Sequence, residues 1–506
     1  MTDDHADVVI AGAGPNGLML ACELALAGIR PVVLDPLPGP SAEPKANGLV
    51  GQVVRMLDMR GLYREFTGDP DPPQPSYAWI FAAMILNFAA VPDNPMYLLP
   101  MQQPRLVRLL EKRARDLGVD LRWGHALTGL RQEPESVEVM VGSPEREYRI
   151  ASRYLVGADG GRSLVRKTVG IDFPGVTSDT VGRLAHVHVP DQFRRDGGID
   201  VPGFGWLPFM HTRLDRGGVI YAEFEPGRSM FGTIEYRPPV EDKPMSLDEL
   251  RDSARRILGV DVPFEEPKGP GPHALRRING QNTRHAERYR DGRVLLLGDA
   301  AHVHSAMGGP GLNLGLQDTL NLGWKLAAEL NGWAPPTLLD TYESERHPVG
   351  ERVMMHSLAQ IALMAPGPEV AALRTLLGEL IAIPDAATHM ARLLAGNDVR
   401  YDVGDDHPLS GWPVPELTLD DGRRVTELLH DARPILLDLD GGVGAAARAW
   451  LDRVDIVRAT AADPPAAALL LRPDGYVAWA ADTVGTDDEA GLRAALERWF
   501  GPESSG

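Results

Sequence analysis

A strand, a glycine turn and a helix follow one another at the start of the chain, and this succession constrains the fold more than anything after it. Val8-Val9-Ile10 is a short apolar strand that leads into Gly12-Ala13-Gly14-Pro15-Asn16-Gly17, and an apolar helix follows from Leu18 to about Ala27. The glycines have the Gly-x-Gly-x-x-Gly spacing in the strand-to-helix setting that holds a dinucleotide. Gly12 allows the tight turn, Gly14 lets a pyrophosphate approach the backbone, and Gly17 permits close packing of helix on strand. After Gly28, Pro31-Val32-Val33-Leu34 is a second strand ending in Asp35, an acid placed to hold a ribose hydroxyl pair. The chain therefore opens as a doubly wound α/β unit.

Two further strands end in the same way. Tyr154-Leu155-Val156 stops at Gly157-Ala158-Asp159-Gly160, and Val294 to Leu297 stops at Gly298-Asp299. Three strands ending in glycine near residues 11, 157 and 298 imply one parallel sheet whose carboxyl ends face one elongated ligand. Beyond Asp299, Gly308, Gly309 and Gly311 strip side chains from the approach to a helix that starts near Leu312. In that helix Leu312, Leu316, Leu320, Trp324 and Ala327 recur at helical spacing, so one face is core. Its first turn has free N–H groups and a partial positive charge, which suit a negative ligand. Taken alone, the same loop reads as a turn whose glycines only permit the bend.

At 506 residues the chain exceeds one ordinary core, and two or three domains are expected. The longest apolar run, Trp79 to Val91, is broken by Asn87 and is too short to span a bilayer. The start MTDDHADVVI lacks the regions of a signal peptide, so a cytoplasmic location is expected. Cys22 is the single cysteine, which excludes intramolecular disulfides and argues against a cysteine-based metal site. A net charge of −19 with no long basic block speaks against nucleic acid or an anionic membrane as partner.

Gln103 opens an amphipathic helix closed by Gly118, and composition alone allows Gln103 to be a helix cap or a ligand contact. Val137, Val139 and Val141 alternate as in a hairpin layer. From about Phe173 to Arg284 short strands carry Trp206, Phe209, Tyr221, Phe224, Phe231 and Tyr236 between Pro and Gly turns, which reads as a largely antiparallel sheet. Tyr77 to Tyr97 has the same texture and is assigned to the same layer, which makes the first domain discontinuous. Aromatic residues at alternate strand positions serve either a core or an apolar pocket. Beyond about Val399, residues 407–413 read as a linker into a separate small unit. There Pro434–Leu439 and Val454–Val457 are strands, Leu469–Trp479 is a hairpin about Pro473-Asp474-Gly475, and Leu492–Trp499 is a closing helix.

Together, Gly12–Gly17 with Asp35, the Gly157-Ala158-Asp159-Gly160 segment and the Gly298-Asp299 segment resemble the three signatures of class A flavoprotein aromatic monooxygenases, relatives of para-hydroxybenzoate hydroxylase. The tail, with HPLSGWPVPEL, LLLRPDGYVAWA and LERWFG, is similar to the thioredoxin-like extension of actinobacterial hydroxylases that act on aromatic polyketides such as angucyclines. The resemblance implies a Rossmann-type FAD-binding domain (1–73, 98–175 and 284–399), an inserted antiparallel β-sheet substrate domain (74–97 and 176–283) and a thioredoxin-like α/β domain (400–506). That last domain has no cysteine and cannot exchange disulfides.

The resemblance also implies roles. Gly12, Gly14, Pro15, Asn16 and Gly17 would hold the FAD pyrophosphate, Asp35 the adenosine ribose, Gln103 the ribityl or phosphate region, and Asp299 a ribityl hydroxyl. Asp159 would lie near both FAD and a transiently docked NADPH. Gly309 opens the loop, and Gly311, Leu312 and Asn313 would present backbone N–H groups to the flavin N1 and O2 edge. Trp206, Phe209, Tyr221, Phe224 and Met307 are the candidate substrate pocket. Several positions depart from the family pattern: Ser305, Ala306 and Met307 stand in its proline region, Pro310 replaces a glutamine, Asp35 replaces the commoner glutamate, and Asn47 lies where many relatives have arginine, with Lys45 or Arg55 as substitute cations.

The implied activity is NADPH reduction of the flavin, addition of dioxygen at flavin C4a, and delivery of one oxygen by the hydroperoxide to an aromatic polyketide-type phenol. Alternatives within the same chemistry are oxygen insertion beside a ketone and antibiotic-inactivating hydroxylation, and outside it a redox-inactive flavin-binding scaffold. A homo-oligomer is compatible with all of them. No metal is expected, although His302-Val303-His304 raises the question, and no single catalytic base is assigned. His211 and His304 are candidates, with a structural hydrogen-bonding role as the plainer reading.

Overall fold

The structure, a computed structural model, describes residues 4–43, 45–225, 227–241, 243–305, 307 and 309–504. Its first part carries β1 (Asp4–Ala11), α1 (Pro15–Leu26), β2 (Pro31–Asp35), α2 (Gln103–Asp116), β3 (Asp120–Trp123), β4 (Glu147–Gly157) and β5 (Gly175–Val187). Then come β6 (Met210–Leu214), β7 (Gly217–Glu223), β8 (Ser229–Tyr236), α3 (Leu247–Leu258), β9 (Leu275–His285), β10 (Val294–Leu296), β11 (His302–Val303), α4 (Pro310–Leu330) and α5 (Thr341–Met364).

The expected parallel sheet forms in the order β10-β4-β1-β2-β3, with Val9 opposite Leu155 and Leu155 opposite Val294. Val8, Val9, Ile10, Leu155, Val156 and Val294 are fully buried, because both faces of a parallel sheet are covered and each strand must be apolar on both sides. Helix α1 packs against both α2 and α4. Cys22 sits in that core, where burial pushes its thiol up to about 12 and leaves it unreactive. No helix among the described residues is long and apolar enough to cross a membrane.

The second sheet is antiparallel throughout, in the order β6-β7-β8-β5-β9-β11. Its period of two divides its residues cleanly. Ala185, Val187, Val219, Tyr221 and Phe231 face α3 and join Leu250, Ala254 and Ile257 in a closed core. Gly182, Leu184, Gly218, Ile220, Ile234 and Ile278 face the other way, toward a large cavity.

Residues 77–97 do not extend this sheet, contrary to their texture. Ala78–Phe81 and Met84–Asn87 pair only with each other around Ala82 and Ala83, both left-handed at φ 49° and 59°. This ribbon packs through Phe81, Leu86 and Phe88 on Met307, Leu363 and Met364. Gln360 Oε1 accepts from the Ala82 N–H, and Arg374 donates to the Ala82 carbonyl. Strand-like composition does not specify a pairing partner, and here the edges of the large sheet are taken by β6 and β11.

The C-terminal strands β12 (Ile435–Asp438), β13 (Asp455–Arg458), β14 (Ala468–Leu471) and β15 (Val477–Ala481), with α6 (Thr486–Phe500), fall where the sequence placed them. The sheet order is β13-β12-β14-β15, parallel in its first pair and antiparallel in the rest. Separateness is the part that fails, because this unit shares one continuous core with the nucleotide-type sheet. Arg472, fully buried, donates to both carboxylate oxygens of Glu345 on α5 at 2.6 and 2.8 Å and to Asp474 at 2.5 Å. Lys325 on α4 donates to the same Glu345 at 2.7 Å. Trp324 and Trp499 flank the guanidinium at 5.2 and 4.8 Å. Arg60, paired with Glu23 of α1, donates across the same seam to the Leu429 and Pro473 carbonyls. Residues 407–413 are likewise pinned, with the Gly411 N–H on the Val477 carbonyl.

Burial, the largest influence on the Glu345 carboxyl, pushes it up, but Arg472 and Lys325 overrule it and hold it at about 2. A depressed carboxylate stabilises the fold above its unfolded value of about 4.3 and loses that contribution as pH falls through the folded value. Glu345→Gln leaves Arg472 and Lys325 buried with less counter-charge, and a cost of about 3–5 kcal/mol is expected at neutral pH. The variant should also lose part of the wild-type acid sensitivity between about pH 4.3 and 2. Urea unfolding at neutral and acid pH checks this; coincident midpoints for variant and wild type at pH 7 would contradict it.

Candidate functional site

The carboxyl ends of β1, β2, β4 and β10 and the inner face of the antiparallel sheet enclose one cavity of about 1900 Å³. This is well above the roughly 300–1,000 Å³ of a site for one small ligand, so it has room for a dinucleotide and a second molecule.

The glycine turn is built by close contact of backbones. A side chain at Gly12, which holds φ 114°, would overlap the Ala158 carbonyl, and one at Gly17 would overlap the Gly12 carbonyl. Gly14 has nothing within 4 Å of where a side chain would start, so its backbone is open to the cavity. Pro15 takes the first position of α1, where its missing N–H is no loss. Asp35 lines the cavity and also ties the turn, accepting from the Ala13 N–H at 2.8 Å and the Leu37 N–H at 2.9 Å. Asn16 does something sequence reasoning missed. Its side-chain amide is wedged where side chains at Gly298 and Gly315 would stand, so the first motif keys directly into the third. Asn16 Oδ1 is buried without a partner.

Gln103 begins α2 and borders the cavity, with its own N–H on the Ala46 carbonyl. Asp159 is drawn into local structure, since its Oδ2 caps a short helix through the Leu164 and Val165 N–H groups at 2.7 and 3.1 Å. Its Oδ1 is buried and unpartnered. Asp299 has no hydrogen-bond partner among the described residues. Its accessible surface belongs to the cavity, deep inside the molecule, so burial raises its carboxyl pKa while His302 and Lys45 act in the opposite direction.

Helix α4 starts at Pro310, two residues before the expected place, with Gly309 as its cap at φ 69°. Ala306 and Gly308 lie outside the described residues. Since Pro310 has no N–H, the free donors of the first turn are those of Gly311 and Leu312, and the intrahelical ladder begins at Asn313. Asn313 contributes through its side chain instead, accepting from the Val50 N–H at 2.8 Å and donating to the Gly309 carbonyl at 2.7 Å. Gly309, with its positive φ, is the position whose backbone requires glycine. Gly311 has no such φ; a side chain there would meet the His304 ring at 3.3 Å.

His302 and His304 have different surroundings. His302 is fully buried and meets Asp318 at 2.6 Å; Asp318 in turn binds Arg346, which reaches the Tyr401 hydroxyl. His304 lines the cavity, with Nδ1 2.9 Å from the Ser305 carbonyl and Nε2 unpartnered. Burial holds it down at about 3, so it is neutral. His285, His347 and Glu351 form the one metal-like cluster among the described residues. The two imidazoles stack at 4.1 Å and 26°, and their Nε2 atoms already meet the Tyr289 hydroxyl at 2.6 Å and the Ala286 carbonyl at 3.0 Å.

Of the substrate-pocket candidates, Phe209, Phe224 and Met307 border the cavity, and the two phenylalanine rings meet edge to face at 5.7 Å. Trp206 and Tyr221 do not. Tyr221 has the wrong strand parity and is buried against α3, while Trp206 sits in a separate three-stranded sheet, 54% exposed. The sheet's cavity face was signalled instead by glycines within strands. Gly182 and Gly218 border the cavity beside Leu184, Ile220, Ile234 and Ile278, while Gly232, on the same face, is covered by Ile220 and Leu184, each 2.8 Å from where its side chain would start. Glycine inside a strand marks close approach of another body.

These residues fit FAD. Gly14 offers open backbone for a pyrophosphate, Asn16 Oδ1 and Asp299 offer unpartnered acceptors for hydroxyl groups, and Gly311 and Leu312 offer N–H groups at a positive helix end. Asp299→Ala is expected to weaken FAD binding roughly ten- to a hundredfold, the range for a hydrogen bond to a charged group, with an unchanged circular dichroism spectrum. Unaltered FAD affinity in a titration would contradict the assignment.

The chain matches the FAD binding domain family over residues 5–357 and the aromatic-ring hydroxylase C-terminal family over residues 407–502. Among solved structures it is similar to OxyS, the anhydrotetracycline hydroxylase from Streptomyces rimosus, with 41% identity and a TM-score of 0.87 over 99% of this chain and 100% of that one. It is also similar to CabE, an aromatic hydroxylase from angucycline biosynthesis, at 37% identity and a TM-score of 0.87 over 98% and 99% of the two chains. A rifampicin monooxygenase of Streptomyces venezuelae is 37% identical over 99% of this chain and 100% of its own length. With both families matched in order and these relatives covered from end to end, the chain belongs to the FAD-dependent aromatic-ring hydroxylases and is a flavoprotein monooxygenase.

Proposed function

We propose that the enzyme uses NADPH and dioxygen to hydroxylate a flat, multi-ring phenol of the aromatic polyketide type. The observation that supports this best is the sheet face on the cavity, where Gly182 and Gly218 flatten a wall otherwise made of Leu184, Ile220, Ile234 and Ile278. An apolar plane suits a fused-ring system, which buries its faces and keeps its polar groups at the edge. The names of OxyS and CabE point to the same class.

FAD supplies the two-electron and dioxygen chemistry when bound. The protein's part is to hold and to exclude. The N–H groups of Gly311 and Leu312 favour negative charge at the helix start, Asp299 takes a hydroxyl, and neutral His304 adds no competing charge. The sheet face and the ribbon at 78–87 keep water from the reacting centre and fix the ring that receives oxygen. Residues 1–73, 98–175 and 284–399 act as the FAD-binding part, 74–97 and 176–283 as the substrate part, and 400–506 as a buttress with no thiol chemistry. The rifampicin monooxygenase relative supports a second reading, hydroxylation that inactivates an antibiotic, by the same steps.

Incubation with NADPH, ¹⁸O₂ and anhydrotetracycline, or an angucyclinone, tests the reading by mass spectrometry. One labelled oxygen is expected in the product and the other in water, with NADPH use dependent on the phenol. A hydroxylated product without the label, or no phenol-dependent NADPH oxidation with any polycycle, would contradict it.

A further inference from the structure

His211 lines the cavity without a side-chain partner, unlike several of the other histidines. His302 meets Asp318 at 2.6 Å, His347 the Ala286 carbonyl at 3.0 Å, and His186 Nδ1 accepts from the Ala274 N–H at 3.0 Å. The half-buried His211 side chain has no hydrogen bond, ion pair or ring contact among the described residues, although it lines the cavity. The ring faces the cavity, so a ligand there can supply the hydrogen bond that the protein does not. The residue before it is also unusual. Met210 holds φ 74°, a backbone conformation that L side chains rarely adopt and that recurs where the surrounding structure forces a functional arrangement.

The register locates His211 within the cavity. His211 pairs with Ile220, Ile220 with Gly232, Gly232 with Leu184, and Leu184 with Arg276. One row thus crosses the cavity face of the sheet, apolar in its middle and polar at each end. Strand β6, which carries His211, is the outermost on one side; β11, which leads to His304 and the start of α4, is the outermost on the other. Five inter-strand steps of about 4.8 Å separate them, on the order of 24 Å along the sheet. His211 therefore lies at the end of the cavity remote from the flavin cradle, beside the Phe209–Phe224 pair.

We propose that His211 reads the far end of the substrate, its imidazole accepting a hydrogen bond from a hydroxyl or amide N–H on the ring most distant from the one oxygenated. This rests on the multi-ring reading and sharpens it, because a single-ring phenol at the cradle cannot reach β6. His211 is a positioning residue that selects length and a distal donor. Burial holds its ring at about 4, so it is neutral at working pH, and a phenol with a pKa of about 10 keeps its proton against it. The interaction is an accepted hydrogen bond without proton transfer.

The test uses the FAD-loaded enzyme and two tricyclic probes, 2,6-dihydroxyanthraquinone, with hydroxyls at opposite ends, and 2-hydroxyanthraquinone, with one. Affinities are read from the change in flavin absorbance. Wild type is expected to bind the dihydroxy probe about five- to tenfold more tightly, the yield of one neutral hydrogen bond. His211→Phe should abolish that difference while keeping the affinity for the monohydroxy probe, and His211→Gln, which retains an acceptor, should restore most of it. A difference that survives in His211→Phe, or one that is absent from wild type, overturns the proposal alone. Failure of both probes and of anhydrotetracycline to bind wild type overturns the multi-ring reading, and the proposal with it.

Discussion

The structure depends on backbones meeting where no side chain can stand between them. Gly12 lies against Ala158, Gly17 against Gly12, and the Asn16 amide fills the space that side chains at Gly298 and Gly315 would take. Segments from the beginning, middle and latter part of the chain are thereby locked at one point. This fixes the ends of β1, β4 and β10 in one plane and turns the first turns of α1 and α4 toward a common space. Two helix N-termini and several unpartnered acceptors around one cavity would be costly in an empty protein, and they are compensated when a dinucleotide with phosphates and hydroxyl groups occupies it.

The rest of the fold supports that junction from behind. On the side of α4 away from the cavity, His302, Asp318, Arg346 and Tyr401 form one buried polar chain, and Lys325, Glu345, Arg472 and Asp474 form another. Buried ion pairs are weak evidence for net stability, because desolvation offsets much of their attraction, but they punish any alternative packing that leaves one member alone. The cysteine-free C-terminal unit thus fixes the helix whose first turn faces the flavin site.

What was legible in the sequence, and what was not, follows from how local each signal is. The glycine fingerprint, Asp35, the two later strand ends and the C-terminal strands are short patterns with local causes, and the fold contains them all. Pairing across distance was not legible: the ribbon at 78–87 has strand composition but forms a sheet of its own. Tyr221 and Trp206 were aromatic in an aromatic-rich region, yet strand parity sends one into the core and leaves the other on a small outer sheet. The better guide to the cavity face was the glycines at 182 and 218, whose meaning appears once the register aligns them. The three glycines ahead of Leu312 look alike in the sequence, but among those described the left-handed backbone that favours glycine is that of Gly309, because the helix starts two residues before the expected place. The surroundings of Asn16 and His211 were not legible, since one is fixed by two distant glycines and the other by its place on the cavity face of the sheet.

FAD titration of the apoprotein, comparing wild type with Gly315→Ala, tests the central claim most directly. Wild type is expected to bind one non-covalent FAD per chain and turn yellow, whereas the added methyl displaces the Asn16 amide and should weaken binding at least tenfold in a protein whose far-ultraviolet spectrum is unchanged. A wild-type chain that stays colourless in excess FAD, or a Gly315→Ala chain that binds it with undiminished affinity, would contradict the account.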